Sequence, residues 1–528
     1  MDEATISLAE PFNTRLVRDV RQRATIDLFV AAVAAIAVMA VACFSARVFI
    51  DGDTNWHVAS GRWIIQHATV PLTDPFSFTY AGKPWIAHEW GSEVLMAGAY
   101  LIAGWSGVVV LIGLAAGLSF WLMARELALW MGPIGQAIGL ALAFTCLQPF
   151  LFARPHILAM PLLVFWTSRI LAARRNRRAP PLELAPLMVV WANLHASFIF
   201  GLGVIGPFAL EALIEEPDKL RVIRGWGLFG VVSAAFALVT PHGIAGIEFP
   251  FMVMGMKTLV DILEWHGQSF QSVTPFEASV LITLFFGLWR GVKVPLLRLI
   301  LLIVLVHMSL QHVRQQAVLA ALAPLILAEP FGRALKPARE GPRIAVPAGW
   351  KPTWRVPSVT VATVLGLAAL GVIGARLANP LVRRDNVNVP VSAVAHVPPE
   401  LLSQPVINEY AFGGYLIFKG VKPYIDGRAD MYGDAFVAEY LAIVSGAEPD
   451  ADNAIKRWNI KWTILAPRDG LVAKLDHTPG WTRVYSDVFA VVQARTDALK
   501  HPPPPSLEVP QAPASNSPAA NTPANGAR

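Results

Sequence analysis

The chain has 528 residues, of which 55% are hydrophobic and only 15% charged, and its mean hydropathy is +0.49. That composition excludes a water-soluble protein of this length and points to a polytopic membrane protein with room for one small soluble domain. The formal net charge of +6 does not indicate nucleic-acid binding, because the Lys and Arg residues cluster in short loops between apolar runs, the positive-inside pattern.

Residues 1–26 are polar and basic, with Arg15, Arg18, Arg21 and Arg23, and are expected in the cytoplasm. A multi-spanning region follows over 27–378, opening with an apolar run at 27–50. The loop 51–93 then reads DGDTNWHVASGRWIIQHATVPLTDPFSFTYAGKPWIAHEWGSE. It holds Asp51, Asp53, His57, Arg62, Asp74, His88, Glu89 and Glu93, interleaved with Trp56, Trp63, Trp85 and Trp90. Tryptophan belts and solvated charges are ordinary at a membrane interface. A belt does not, however, require an Asp-x-Asp abutting the end of a span. NWHVASGRWIIQHA predicts a helix lying along the interface, and FSFTYAGKPW a hairpin around Ala81-Gly82.

Residues 94–105 are apolar but too short to span. Further spans are expected at 107–128, 131–150, 156–173, 183–195, 197–214, 225–241, 275–290, 295–310, 313–330 and 357–378, about eleven in all with the first. As one helix, 183–214 would reach about 48 Å, longer than a bilayer is thick, so a break is expected at Trp191–His195. Cys43 and Cys146 both fall in apolar runs and imply no disulfide.

With the N-terminus inside, the inner loops carry Arg174, Arg175, Arg177 and Arg178; Lys219, Arg221 and Arg224; Arg290, Lys293 and Arg298; and a cluster from Arg333 to Arg355. Alternation and charge bias agree. An odd number of spans then places the C-terminal region outside, which is the periplasm if the host is Gram-negative and the membrane its inner one. His57, His67, His88, His156, His195, His242, His266, His307 and His312 all fall at predicted outer turns or helix ends, alongside Arg154, Asn193, Glu264, Gln311 and Arg314. Polar groups at membrane depth are costly unless paired, so this one-sided crowd suggests an outer polar cavity. The plainer reading is that each caps its own helix.

Residues 379–499 have shorter apolar runs and more acid, and are expected to form a small external α/β domain: strand PVINEY, helix GGYLIFKG, strand KPYIDGR, helices DAFVAEYLAIVSG and ADNAIKRW, then strands WTILAP and FAVVQAR. Residues 500–528 are a Pro/Ala/Asn-rich tail that cannot bury a core and is expected to be disordered.

Asp51-Gly-Asp53 at the outer end of a span, followed by Trp56-His57 on an amphipathic helix, resembles the acidic first-loop motif of the multi-spanning, lipid-phosphate-dependent glycosyltransferases of the C superfamily. Asn408–Tyr415 (NEYAFGGY), followed by AIKRWNIKWTILAP, is similar to the start of the soluble domain of oligosaccharyltransferase catalytic subunits. The paired Trp and the Asp of that family's acceptor motif are missing here. The resemblance implies sugar transfer from a polyprenyl-phosphate-linked donor outside the cytoplasm.

Such chemistry needs a carboxylate near the acceptor and cations near the leaving phosphate. Asp51, Asp53 and Glu89 are the candidate catalytic groups. Arg154, His156, His312 and Arg314 are candidates for the phosphate, for which the arginine fork is well shaped. His57, Arg62, His88, Asn193, His195, Glu264, Tyr410 and the Asp426-Gly-Arg428-Ala-Asp430 knot are further candidates for substrate contact. The knot also reads as an Asp-Gly turn with a surface ion pair. Asp51 and Asp53 are a candidate pair for a divalent metal, Mg or Mn, although hard-cation sites have no fixed spacing to recognise here. They also read as caps of the helix that follows. Two other classes fit the same layout: a lipid-linked sugar transporter or flippase, and a non-catalytic envelope assembly protein. Transporters carry charge in mid-span or inverted repeats, and here the polar groups crowd one side.

Overall fold

The structure, a computed structural model, describes residues 12–257, 265–335 and 359–500. Glu264, most of the expected inner loop beyond Leu335 and the tail beyond Lys500 lie outside them. Among the described residues, thirteen α-helices precede the C-terminal region: α1 (Phe12–Phe44), α2 (Asp53–His67), α3 (Trp90–Ala128), α4 (Pro133–Leu147), α5 (Pro155–Arg175), α6 (Leu187–Leu194), α7 (Phe198–Glu215), α8 (Lys219–Ala237), α9 (Ile244–Met254), α10 (Pro275–Trp289), α11 (Leu296–Gln311), α12 (Gln316–Leu335) and α13 (Val359–Ala378).

Among the described residues, eight helical stretches are long and apolar enough to cross a membrane. They lie in α1, α3, α4, α5, α7, α8, α12 and α13. The expected eleven counted α6, α10 and α11 as well, but the longest of these, at 16 residues, rises only about 24 Å. The expected 275–290 and 295–310 match α10 and α11 almost end to end and are short by composition, whereas 183–195 shortens to Leu187–Leu194. The short apolar helix α9 was not anticipated. The break expected between 183 and 214 falls at His195, which is extended (φ −169°, ψ 146°) between α6 and α7.

α3 lies at the centre of the bundle and packs against α1, α2, α5 and α12. It is not straight. Ala103 and Gly104 leave helical geometry, and Gly104 has φ 59°, where a residue without a Cβ is favoured. The break separates a first arm, Trp90–Ile102, from the spanning arm, as the short apolar stretch 94–105 had suggested. At the opposite end of the bundle the arginines do not behave as loop cations. Arg174 and Arg298 are 5% and 7% exposed and share Glu211. Arg298 grips that carboxylate through Nε (2.9 Å) and Nη2 (2.7 Å) and sends Nη1 to Glu329 (3.1 Å). Helices α5, α7, α11 and α12 are thereby joined through buried charge.

The C-terminal α/β unit has four strands, β1 (Val406–Asn408), β2 (Trp462–Leu465), β3 (Trp481–Ser486) and β4 (Val491–Arg495), in the order β1-β2-β4-β3. β1 and β2 are parallel, and the other pairs are antiparallel. Its helices are α14 (Val391–Ala395), α15 (Gly413–Phe418), α16 (Ala429–Val444), α17 (Asp450–Arg457) and α18 (Gly470–Asp476).

KPYIDGR, expected as a strand, is not one. The Asn408 side chain takes the Tyr424 N–H (2.8 Å) and donates to the Ile425 carbonyl (2.8 Å), so a side-chain amide replaces a ladder. The loop after α2 takes further groups: Phe78 N–H bonds the Pro423 carbonyl, and Thr79 Oγ1 bonds that of Tyr424. The Phe78 ring meets Tyr424 and Trp458 edge-on. Residues 73–85 form the expected turn, with Gly82 at φ 76° and one antiparallel bridge between Thr73 and Pro84. The turn docks into the α/β unit instead of standing alone.

Candidate functional site

The site starts where α1 gives way to α2. Asp51, one residue before the N-cap Gly52, accepts the Asp53 N–H through Oδ1 (2.7 Å), and the helix N-terminus favours both negative charges. The two carboxylates converge on Arg154. Its Nε lies 2.6 Å from Asp51 Oδ2, and its Nη2 donates to Asp53 Oδ2. Arg154 stands directly before α5, whose first residue is Pro155, a preferred opening residue for a helix. The Ala153 N–H to Val48 carbonyl bond (2.9 Å) ties the two turns together.

The α/β unit closes over this group. A methyl group added at Gly427 would overlap Asp53 Oδ1, one at Gly52 would strike the Ala411 carbonyl, and one at Gly414 would strike that of Gly52. The acid pair therefore lies on the seam between the bundle and the C-terminal unit. Arg428, 1% exposed, fixes the seam. It donates to Asp426 through Nε and Nη2 (both 2.7 Å) and to Asp74 of the α2–α3 loop through Nη1 (2.8 Å). Tyr432 also donates to Asp426 (2.7 Å), and the guanidinium lies over the rings of Trp85 and Phe76. Asp426-Gly-Arg428 is thus a buried knot and not a surface turn.

A second cluster begins one turn along α2. His57 lies 3.4 Å from Glu93 and 3.8 Å from Glu89, and Ser60 donates to Glu93 (2.6 Å). Glu89 also meets His88 (3.6 Å) and His195 (3.3 Å). The Ser197 N–H donates to His195 Nδ1 (3.0 Å), so the proton of a neutral His195 resides on Nε2, facing Glu89. Burial drives the His195 pKa down to about 3, which keeps that ring neutral. Burial works against ionisation of Glu89 as well, but His88, His195 and His57 together pull its pKa below the ordinary carboxylate value. His88 is lifted above the usual histidine value: burial opposes its charge, and Glu89 overcomes that. Burial raises Asp430, which faces His88. Trp56, Trp85, His88, Glu89, Arg428 and Asp430 line a small cavity here.

The remaining sequence candidates are distributed around this core. The His156 ring centre is 6.2 Å from that of His195, and His156 Nε2 bonds the Phe150 carbonyl (2.9 Å). Arg314 lies over the Trp265 ring at 4.4 Å and acts electrostatically on His195; His312 Nδ1 bonds the Trp265 carbonyl (2.8 Å). Asn193 is committed to structure, accepting from Trp90 and donating to the Val189 and Val239 carbonyls. Arg62 is nine residues from Asp53, half a turn out of phase on α2, and its guanidinium lies over Phe418. Tyr410 opens the 3-10 turn that leads to Gly413.

Sequence reasoning passed over Glu93, Asp74 and Gly427 as site residues. Glu93 had a signal, since its i,i+4 spacing from Glu89 puts both on one helix face. Asp74 and Gly427 had none, because their partners come from the other end of the chain.

Asp51 and Asp53, the candidate metal pair, both face Arg154. The Arg154 guanidinium stands between the two carboxylates and supplies the positive charge there. Among the described residues, no group of three or more His, Cys, Asp or Glu is disposed around a common point as ligands.

Neither a protein-family model nor a curated protein matches this sequence. Solved structures do. The archaeal oligosaccharyltransferase AglB from Archaeoglobus fulgidus, in complex with an inhibitory peptide and a dolichol-phosphate, superposes with a TM-score of 0.51 at 14% identity, over 83% of this chain and 69% of that one. ArnT from Cupriavidus metallidurans, in the apo state, superposes with a TM-score of 0.50 at 16% identity, over 89% of this chain and 99% of that one. This chain has their fold. The resemblance to C-superfamily glycosyltransferases, with its echo of oligosaccharyltransferases, therefore holds at the level of architecture.

Proposed function

We propose that this protein is a bacterial inner-membrane glycosyltransferase that takes a sugar from a polyprenyl-phosphate-linked donor on the external face. The observation that carries the reading is the Asp51–Asp53–Arg154 group, placed on the seam under Gly427. Two carboxylates and a guanidinium at a helix end, covered by a second unit, suit a reaction that moves a proton and frees a phosphate. Glycosyl transfer to a hydroxyl is such a reaction. The acceptor oxygen bonds to the anomeric carbon as its proton passes to Asp53. The bond from that carbon to the phosphate oxygen breaks, and the phosphate leaves with both electrons. Arg154 turns one N–H pair from the acids to the phosphate. Glu89, held below the usual carboxylate range chiefly by His88, is a poor base and in turn favours the charged form of His88 beside the cavity.

The fold likeness supports the same donor class, since AglB was solved with a dolichol-phosphate. The charged groups lie at helix ends and not in mid-span, which favours surface chemistry over a transport path.

The test is Asp53→Asn in a strain lacking the native copy. The variant should insert at normal levels while mass spectrometry shows unspent polyprenyl-phosphate sugar and loss of the modified glycan. Wild-type glycans from Asp53→Asn would overturn the reading.

A further inference from the structure

Arg383 lies in the connection between α13 and α14, and nothing in the reaction above uses it. It is 8% exposed, and its Nη1 donates to the Phe49 carbonyl (2.8 Å). Nε and Nη2 have no acceptor among the described residues. The guanidinium is held between two aromatic rings, 4.7 Å from the centre of Phe49 and 5.1 Å from that of Trp105, which themselves meet edge to face. Burial lowers its pKa to about 10, so it remains charged at neutral pH.

A buried arginine with two unmet N–H donors is out of balance unless an acceptor reaches it. Asp51 and Tyr415 act on it electrostatically. Asp51, however, already gives Oδ1 to the Asp53 N–H and Oδ2 to Arg154. Arg376, in the last turn of α13, is better satisfied: its Nη1 bonds the Cys43 carbonyl (3.3 Å) and its Nη2 that of Asn379, and only its Nε has no acceptor among the described residues. The planar fork of arginine matches phosphate oxygens in pairs.

The surroundings bear on where the phosphate comes from. Phe44, Ile50, Leu101, Ile102 and Val382, near the ends of α1 and α13 and at the break in α3, are large, apolar and exposed. An anion arriving here is flanked by surface suited to hydrocarbon. The segment 379–390 has no helix or strand, and Leu381 N–H to Ser106 Oγ (3.0 Å) is one of its few ties to the bundle. Freeing Nε and Nη2 therefore requires a shift of a linker, not of the helices.

We propose that Arg383 binds the phosphate of a polyprenyl carrier entering from the bilayer beside α1 and α13, with Asp51 standing between it and Arg154. This rests on the donor class proposed above and adds the residue that receives its phosphate.

The test is native mass spectrometry of the purified full-length chain with undecaprenyl phosphate, phosphatidylglycerol or inorganic phosphate. Wild type should retain undecaprenyl phosphate in preference to the other two. Arg383→Gln should lose about tenfold or more in affinity, the scale of hydrogen bonds to a charged group. Arg457→Gln, in an exposed ion pair of the C-terminal unit, should bind as wild type does. Arg383→Lys, which keeps the charge and loses the fork, covers the case in which Arg383→Gln does not fold: binding weaker than wild type supports the proposal. Undecaprenyl phosphate held equally by wild type and either Arg383 variant overturns the proposal and leaves the donor class standing. Preference for phosphatidylglycerol assigns Arg383 to a structural lipid, and preference for inorganic phosphate assigns it to a soluble anion; either overturns the proposal. If wild type binds no undecaprenyl phosphate, the donor class falls as well.

Discussion

Gly427 is a position where the absence of a side chain bears directly on the proposed transfer. It lets the backbone of the C-terminal unit rest against Asp53, in a place where a methyl group would overlap the carboxylate. Gly427→Ala must move either the loop or the acid. A displacement near 1 Å at a reacting group costs on the order of a hundredfold in rate. We expect that scale of loss in sugar transfer, measured in membranes, with little change in thermal midpoint. Gly98→Ala, at an open helical position in the first arm of α3, is the control and should change neither. At this scale the sequence was legible where contacts are local. Asp51 beside the start of α2, and His57 one turn beyond Asp53, follow from spacing alone. The Arg428–Asp74 pair spans 354 positions, and no local pattern around either residue marks the other.

At the scale of elements, α2, β1, β2 and β4 were readable because each has its own acidic start or apolar run. KPYIDGR misled because its alternation suits a strand, while its bonding is settled by Asn408 and by the loop at 78–79. The inner arginines misled in another way. Lys and Arg beside spans read as solvated topology markers, yet Arg174 and Arg298 are buried on a shared Glu211. Removing the shared carboxylate leaves Arg174 with Glu215 and Arg298 with Glu329, so the loss should stay below the ~3–5 kcal/mol of a fully stranded buried charge. Glu211→Gln should still lower the thermal midpoint in detergent, whereas Arg457→Gln, in an exposed ion pair, should not. Equal midpoints for the two variants would show that the four-helix junction does not need its charge.

For the whole molecule, the eight spanning stretches among the described residues do not supply the odd count on which the expected orientation rests, so the proposed orientation calls for a direct check. A reporter that is active only in the periplasm, fused after Pro380, should be active, and a reporter active only in the cytoplasm should be silent at the same position. The reverse pattern would put the acid pair on the inner face, and the proposed donor side would fall with it. Membrane class was legible from composition, since apolar content needs no tertiary information. The convergence of Asp51, Asp53 and Arg154 was legible only as a set of residues at one predicted level. Their actual neighbours depend on how α5 docks on α1 and α2, and that depends on packing that no single segment encodes.

The docked turn at residues 73–85 has a consequence for the order of assembly. It puts Phe78 against Tyr424 and Trp458, and Asp74 against Arg428, so part of the C-terminal unit's interior is supplied by a segment synthesised more than 300 residues earlier. Contacts this far apart in sequence are made late, because the intervening chain must first be ordered. During translation the turn must wait with Asp74 solvated while the spans are inserted. Only then can the C-terminal unit close around it, so the seam over the acid pair is among the last parts of the protein to be made. A chain that stalls or is clipped before residue 428 would carry a complete bundle and an acid pair with no roof.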